Sequence, residues 1–104
     1  MLMKLKMGMR LKSVADETQV IVIRTPAVEL EVTCGGHPLI SIDEDAVAGC
    51  ELDPRHTGPS VLGRRYVDDD LGLELLVTKA GRGGLFANGT ALYEKAAKPL
   101  PASD

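Results

Sequence analysis

At 104 residues the chain is one domain's worth with a single core, since a shorter piece buries too little apolar surface to offset its conformational entropy. The apolar fraction is 44%, but the aromatics are only Tyr66, Phe86 and Tyr93, so that core must be built from Val, Leu, Ile and Ala. A net charge of −3 gives no global electrostatic reason to bind nucleic acid, and no run nears the roughly eighteen apolar residues of a membrane-spanning helix.

The N-terminal "MLMKLKMGMR" interleaves charge where a secretion signal needs an unbroken apolar stretch, so a cytoplasmic protein is expected, its start lying at Met1, Met3, Met7 or Met9. Read as an extended segment, "MKLKMGMRLK" places Lys4, Lys6, Arg10 and Lys12 on one face and Met3, Leu5, Met7, Met9 and Leu11 on the other. Such lysines commonly guard an edge strand against aggregation, and the basic face also suits anionic lipid or an acidic partner. "TQVIVIR", Thr18 to Arg24, is β-branched and stops ahead of Pro26, a residue tolerated at strand ends but not in mid-ladder. "VELEVT", Val28 to Thr33, alternates with Val28, Leu30 and Val32 inward, which predicts a hairpin with the strand before it. Residues 40–65, acidic and then rich in Pro and Gly, read as a connector with at most one helical turn around Asp43 to Val47. The last third predicts a strand Leu73 to Lys79, a glycine turn, a strand Leu85 to Ala87 and a hairpin at Asn88-Gly89. Residues 96–104, with two prolines, favour an extended tail. Period-two alternation recurs throughout and a helical period does not, so the fold class is all-β.

Set beneath one another, "VTCGGHPL" (Val32 to Leu39) and "LFANGTAL" (Leu85 to Leu92) share apolar-x-small-small-Gly-x-x-Leu. Upstream, "VIVIR" (Val20 to Arg24) lies over "LLVTK" (Leu75 to Lys79), and Leu11 over Tyr66. The chain therefore reads as one domain made of two repeats, 11–39 and 66–92, offset by 55 residues early and 53 late.

The second copy, "YVDDDLGLELLVTKAGRGGLFANGTAL", resembles the desulforedoxin-type unit that also forms the N-terminal domain of desulfoferrodoxins. In that family an opening aromatic precedes two cysteines separated by two residues; a glycine, a strand, a glycine turn and a strand follow, then adjacent cysteines, a glycine and an apolar residue. The four thiolates hold one iron, or zinc by substitution. Tyr66 matches the aromatic, Gly72 the first glycine, Gly81 and Gly83 the turn, Gly89 the last glycine and Leu92 the closing residue. The ligand positions hold Asp68, Leu71, Ala87 and Asn88 here, and Ser13, Asp16, Cys34 and Gly35 in the first copy, so one cysteine of eight remains. The family unit works as a homodimer, so the resemblance implies two degenerate units packed with pseudo-twofold symmetry within one polypeptide.

A tetrahedral thiolate site needs four deprotonated sulfurs, which neither copy supplies. The only cysteines and histidines, Cys34, His37, Cys50 and His56, form C-x2-H-x12-C-x5-H, a spacing of the general kind that binds zinc, so a zinc- or iron-binding structural or redox protein stands as the alternative. Against it, Cys34 suits a small buried hydrophobe, His37-Pro38 a turn, and His56 a solvated loop. Two cysteines make no disulfide framework and are expected reduced. Asp68, Asp69 and Asp70 offer oxygens to a hard cation but lack an EF-hand pattern, and "GRGG" offers backbone donors to an anion without the lysine and hydroxyl of a phosphate loop. Ser13, Ser41, Ser60 and Cys34 have no paired histidine and carboxylate at recognisable spacing. The expectation is a non-catalytic binding or assembly module, a small accessory subunit with no cofactor, meeting a protein partner or itself through the N-terminal strand or the tail.

Overall fold

The computed structural model describes residues 3–45, 49 and 51–95, Pro59 by its backbone alone. Cys50 and the tail 96–104 lie outside the described residues, as does part of the turn expected at Asp43 to Val47. The fold is all-β. Its strands are β1 (Arg10–Lys12), β2 (Gln19–Arg24), β3 (Val32–Cys34), β4 (His37–Pro38), β5 (Ile40–Ser41), β6 (Thr57–Ser60), β7 (Arg65–Asp68), β8 (Leu73–Lys79), β9 (Gly81–Gly83), β10 (Leu85–Ala87), β11 (Thr90–Ala91) and β12 (Tyr93–Glu94). A 3-10 turn, Pro54–His56, precedes β6.

Six strands form one sheet in the order β12-β7-β8-β2-β1-β5, four form a second in the order β11-β10-β3-β4, and β6 pairs with β9. Period-two burial decides which side of each strand faces inward. Val20 and Val22 of β2, Leu75 and Val77 of β8 and Leu11 of β1 all lie at 1% exposure or less. They join Val32, Cys34, Leu85 and Ala87 of the second sheet, and Leu39 and Leu92 just after β4 and β11, in one aliphatic cluster closed by Tyr66. Each side chain so buried contributes about 1.5–3 kcal/mol of transfer free energy, so a core with one aromatic can still hold the two sheets together.

Pairing registers repeat along the chain. In β1–β2 the partners are Arg10↔Ile21, Leu11↔Val20 and Lys12↔Gln19. Adding 55 to each number gives Arg65↔Leu76, Tyr66↔Leu75 and Val67↔Glu74, which are the partners in β7–β8. The later strands repeat at 53: Leu39 donates its amide to Val32 and Leu92 to Leu85. The turns that close β3–β4 and β10–β11 both carry positive φ at their two central residues, Gly35 (64°) and Gly36 (89°) in one, Asn88 (50°) and Gly89 (81°) in the other. Two successive residues at positive φ are what a type I′ hairpin turn requires, and Asn and Gly tolerate them best.

Several expectations are corrected. The hairpin between Thr18 to Arg24 and Val28 to Thr33 does not form: β2 pairs with β1 and β8, and β3 with β4 and β10. Residues 25–31 carry the chain from one sheet to the other, leaving Val28 58% exposed while Leu30 and Val32 are buried. The N-terminal segment is not one strand either, because Lys6 to Met9 closes a turn (Met9 N to Lys6 O, 3.1 Å) around Gly8 at φ 85° and turns Met7 into solvent. Flanked by β2 and β5, β1 has no free edge for a partner strand. Finally, residues 40–65 hold β5, the 3-10 turn and β6, and "GRG" is itself strand β9 rather than a hairpin turn, since β8 and β10 belong to different sheets.

Candidate functional site

Three of the four positions that the resemblance makes ligands in the first copy meet at one corner, where the end of β1, β3 and β9 converge. Ser13 follows β1, and its hydroxyl accepts from the amides of Ala15 (3.1 Å) and Asp16 (3.2 Å), folding the chain so that Asp16 points back inward. The Asp16 carboxylate is then saturated. Its Oδ2 accepts from the Arg82 amide (2.7 Å), the Gly83 amide (2.7 Å) and the Thr18 hydroxyl (2.9 Å). Its Oδ1 accepts from the Thr18 amide (3.2 Å) and lies 3.9 Å from the Cys34 thiol.

That arrangement explains the glycines of β9. A Cβ at Gly81 would overlap the Thr18 hydroxyl and come within 2.5 Å of Asp16 Oδ2, and one at Gly83 would come within 2.5 Å of the Cys34 sulfur. Only a bare backbone approaches this closely. "GRGG" does bind an anion through successive amides, but the anion is the chain's own Asp16, 66 residues upstream of Arg82.

Electrostatics follow from the same contacts. Burial alone would raise the Asp16 pKa; hydrogen bonds from Ser13, the Gly83 amide and Thr18 outweigh it and hold the carboxyl below its ordinary value. Cys34 is fully buried, and burial followed by the neighbouring Asp16 charge pushes its thiol up to about 11. With no cation beside it among the described residues, it is a protonated thiol at neutral pH. The corner ties the turn after β1 to β9 and to β3.

At the position matched to Ser13, the Asp68 carboxylate accepts from the amides of Asp70 (3.0 Å) and Leu71 (3.2 Å), the same i+2 and i+3 pattern that Ser13 makes. Leu71 packs against the core cluster and Ala87 belongs to it, so the counterpart corner is apolar. Asp68 is thus a turn cap, Asp69 accepts from the Tyr93 hydroxyl (2.6 Å), and Asp70 is exposed. The carboxylate of Glu74, which is buried, is met by Arg65 (3.4 Å) and Lys95 (3.3 Å).

Of the four residues in the alternative metal set, Cys34 and His37 face each other across β3–β4. The His37 Nε2–H donates to the Glu51 carbonyl (2.8 Å), and the His56 ring lies against Phe86 with centroids 4.3 Å apart. His56 Nδ1 is buried without a hydrogen-bond partner among the described residues. No group of three or more His, Cys, Asp or Glu among the described residues is placed to hold a metal ion. Asp16 as the hub was missed from the sequence; its local signal is Asp-x-Thr after a serine turn, but nothing in a single sequence links it to residues 82 and 83.

No helix among the described residues is long and apolar enough to cross a membrane. The chain matches no protein-family model, no curated protein and no solved structure.

Proposed function

We propose that the chain is a non-catalytic binding and assembly module, a small cytoplasmic accessory subunit built from two tandem copies of a degenerate desulforedoxin-like unit packed with pseudo-twofold symmetry. The observation that carries the duplication is the register: three partner pairs of β1–β2 recur in β7–β8 at a constant offset of 55. The matched serine and aspartate turns at Ser13 and Asp68 support it independently. They stand where the resemblance puts the first ligand of each copy.

The non-catalytic reading rests on the chemistry of the corner. Where a thiolate cage would sit, one copy has a carboxylate saturated by amides and the other has Leu71 and Ala87. Loss of a metal removes folding free energy from a small domain. Apolar filling on one side and the Asp16 network on the other offset that loss, leaving the outer surface to meet a protein partner or a second copy.

The test is elemental analysis of protein expressed with iron and zinc in the medium. The expected product is colourless and carries well under one metal per chain. A stoichiometric metal that disappears in Cys34→Ser would contradict this reading and favour the alternative set of Cys34, His37, Cys50 and His56.

A further inference from the structure

The two halves differ where the sheets part at one side of the core. Adding 55 to Met3 and Leu5 gives Gly58 and Ser60. Leu5 is 3% exposed within the core cluster, and Met3 packs against that cluster. Gly58 has no side chain to give, and the Ser60 hydroxyl is spent on the Gly83 carbonyl at 2.5 Å. The result is a groove of about 260 Å³ lined by Thr57, Tyr66, Leu85, Phe86 and Leu92, with Glu94 adding a carboxylate. Its walls are correspondingly wetter: Leu85 and Leu92 are 5% and 9% exposed, where Val32 and Leu39 are 3% and 0%.

The same molecule carries a knob. Met7 is 72% exposed, the highest value among the exposed large apolar residues described, because the turn from Lys6 to Met9 aims it outward. A thioether chain with three rotatable bonds adapts to an irregular apolar slot. Exposed Lys6 and Arg10 line the surface around it together with Asp43, leaving a net positive charge there, complementary to Glu94 at the groove. Arg64 stands 3.8 Å from Glu94, but both are largely exposed, and such a pair leaves the carboxylate open to further donors.

We propose that the groove receives Met7 from a second copy of the chain, with Lys6 and Arg10 of that copy facing Glu94. This rests on the assembly reading above and gives it a contact. Knob and groove are different surfaces, so the contact is head-to-tail and builds a ring or a filament rather than a closed pair.

The test is sedimentation velocity of the full chain over a wide concentration range. Mass should rise with concentration, less so at high salt, and Met7→Glu should weaken association at least tenfold with an unchanged circular dichroism spectrum and melting temperature. Leu62→Glu, at the equivalent exposed turn position, and a chain ending at Lys95 should associate as the wild type does. In a Cys50→Ser background, a Met7→Cys chain mixed with an Ala91→Cys chain should give a mixed disulfide. A monomer at every concentration, dispersal by Leu62→Glu instead of Met7→Glu, or loss of association on removing the tail would each overturn the proposal. A metal-free monomer would overturn it while leaving the module reading intact.

Discussion

Ile21 of β2 faces Leu76 of β8 across the centre of the six-stranded sheet, and adding 55 to the first number gives the second. On either side of that pair, Val20 faces Val77 and Val22 faces Leu75, so each flanking pair is the other with its strands exchanged. In the second sheet Phe86 faces Thr33 between Leu85↔Cys34 and Ala87↔Val32, which exchange in the same way at an offset of 53. Both seams between the halves therefore run through the core, and the inward residues of each half have no partner surface without the other.

The core should accordingly melt as one. Leu75→Ala removes a fully buried side chain shared by both halves, and the expected cost is about 2–5 kcal/mol. The loss should appear in a single transition, with near- and far-ultraviolet circular dichroism coincident. Two separated transitions would indicate independent halves.

Asp16→Asn should destabilise by about 1–3 kcal/mol, because a charged acceptor of three backbone amides is replaced by a neutral group whose NH2 cannot accept. The sign of the pH dependence follows from the lowered pKa. A depressed carboxyl contributes stability that is complete above its unfolded value, about 3.9, and is lost as pH falls through the lower folded value. Denaturation of wild type and variant should therefore differ by a constant amount from pH 5 to 8, with the gap closing in acid, to about pH 2. A gap that widens in acid would contradict the assignment.

The glycine turns rank by what surrounds them. Gly8 and Gly89 have positive φ and open space, so Ala at either should cost about 1 kcal/mol. A Cβ at Gly36 would also come within 2.8 Å of Asp53 Cβ, so Gly36→Ala should lower the melting temperature more than either. Read as part of an extended strand, Gly8 should instead tolerate a side chain, and melting curves of the three variants decide between these outcomes.

That glycine shows where the sequence is legible and where it is not. Alternation and β-branching mark β2, β8 and β10 closely, and Asn88-Gly89 marks its hairpin, because those signals are local. The same alternation in "MKLKMGMRLK" conceals a turn, since a single Gly breaks the strand without breaking the pattern. Which sheet a strand joins depends on partners dozens of residues away, as with β3 and β10, and period two carries no such information. Likewise Ser13, Asp16 and Cys34 were legible as equivalent positions, whereas the bond from Asp16 to the amides of β9 was not.

Cys34 should be silent to thiol reagents. In Cys50→Ser protein, a thiol fully buried and raised to about 11 should give no labelling at pH 8 in the native state and one equivalent in denaturant. Rapid native labelling would place Cys34 at an accessible, activated site instead.

The shared core is tested most directly by cutting the chain. Expressed separately, residues 1–52 and 53–104 each keep a three-stranded piece of the large sheet but lose the β2–β8 and β3–β10 seams, and such short fragments bury too little surface to fold. The expected result is two fragments with collapsed amide proton dispersion whose mixture recovers the dispersed spectrum of the intact chain. A well-dispersed spectrum from either fragment alone would contradict it.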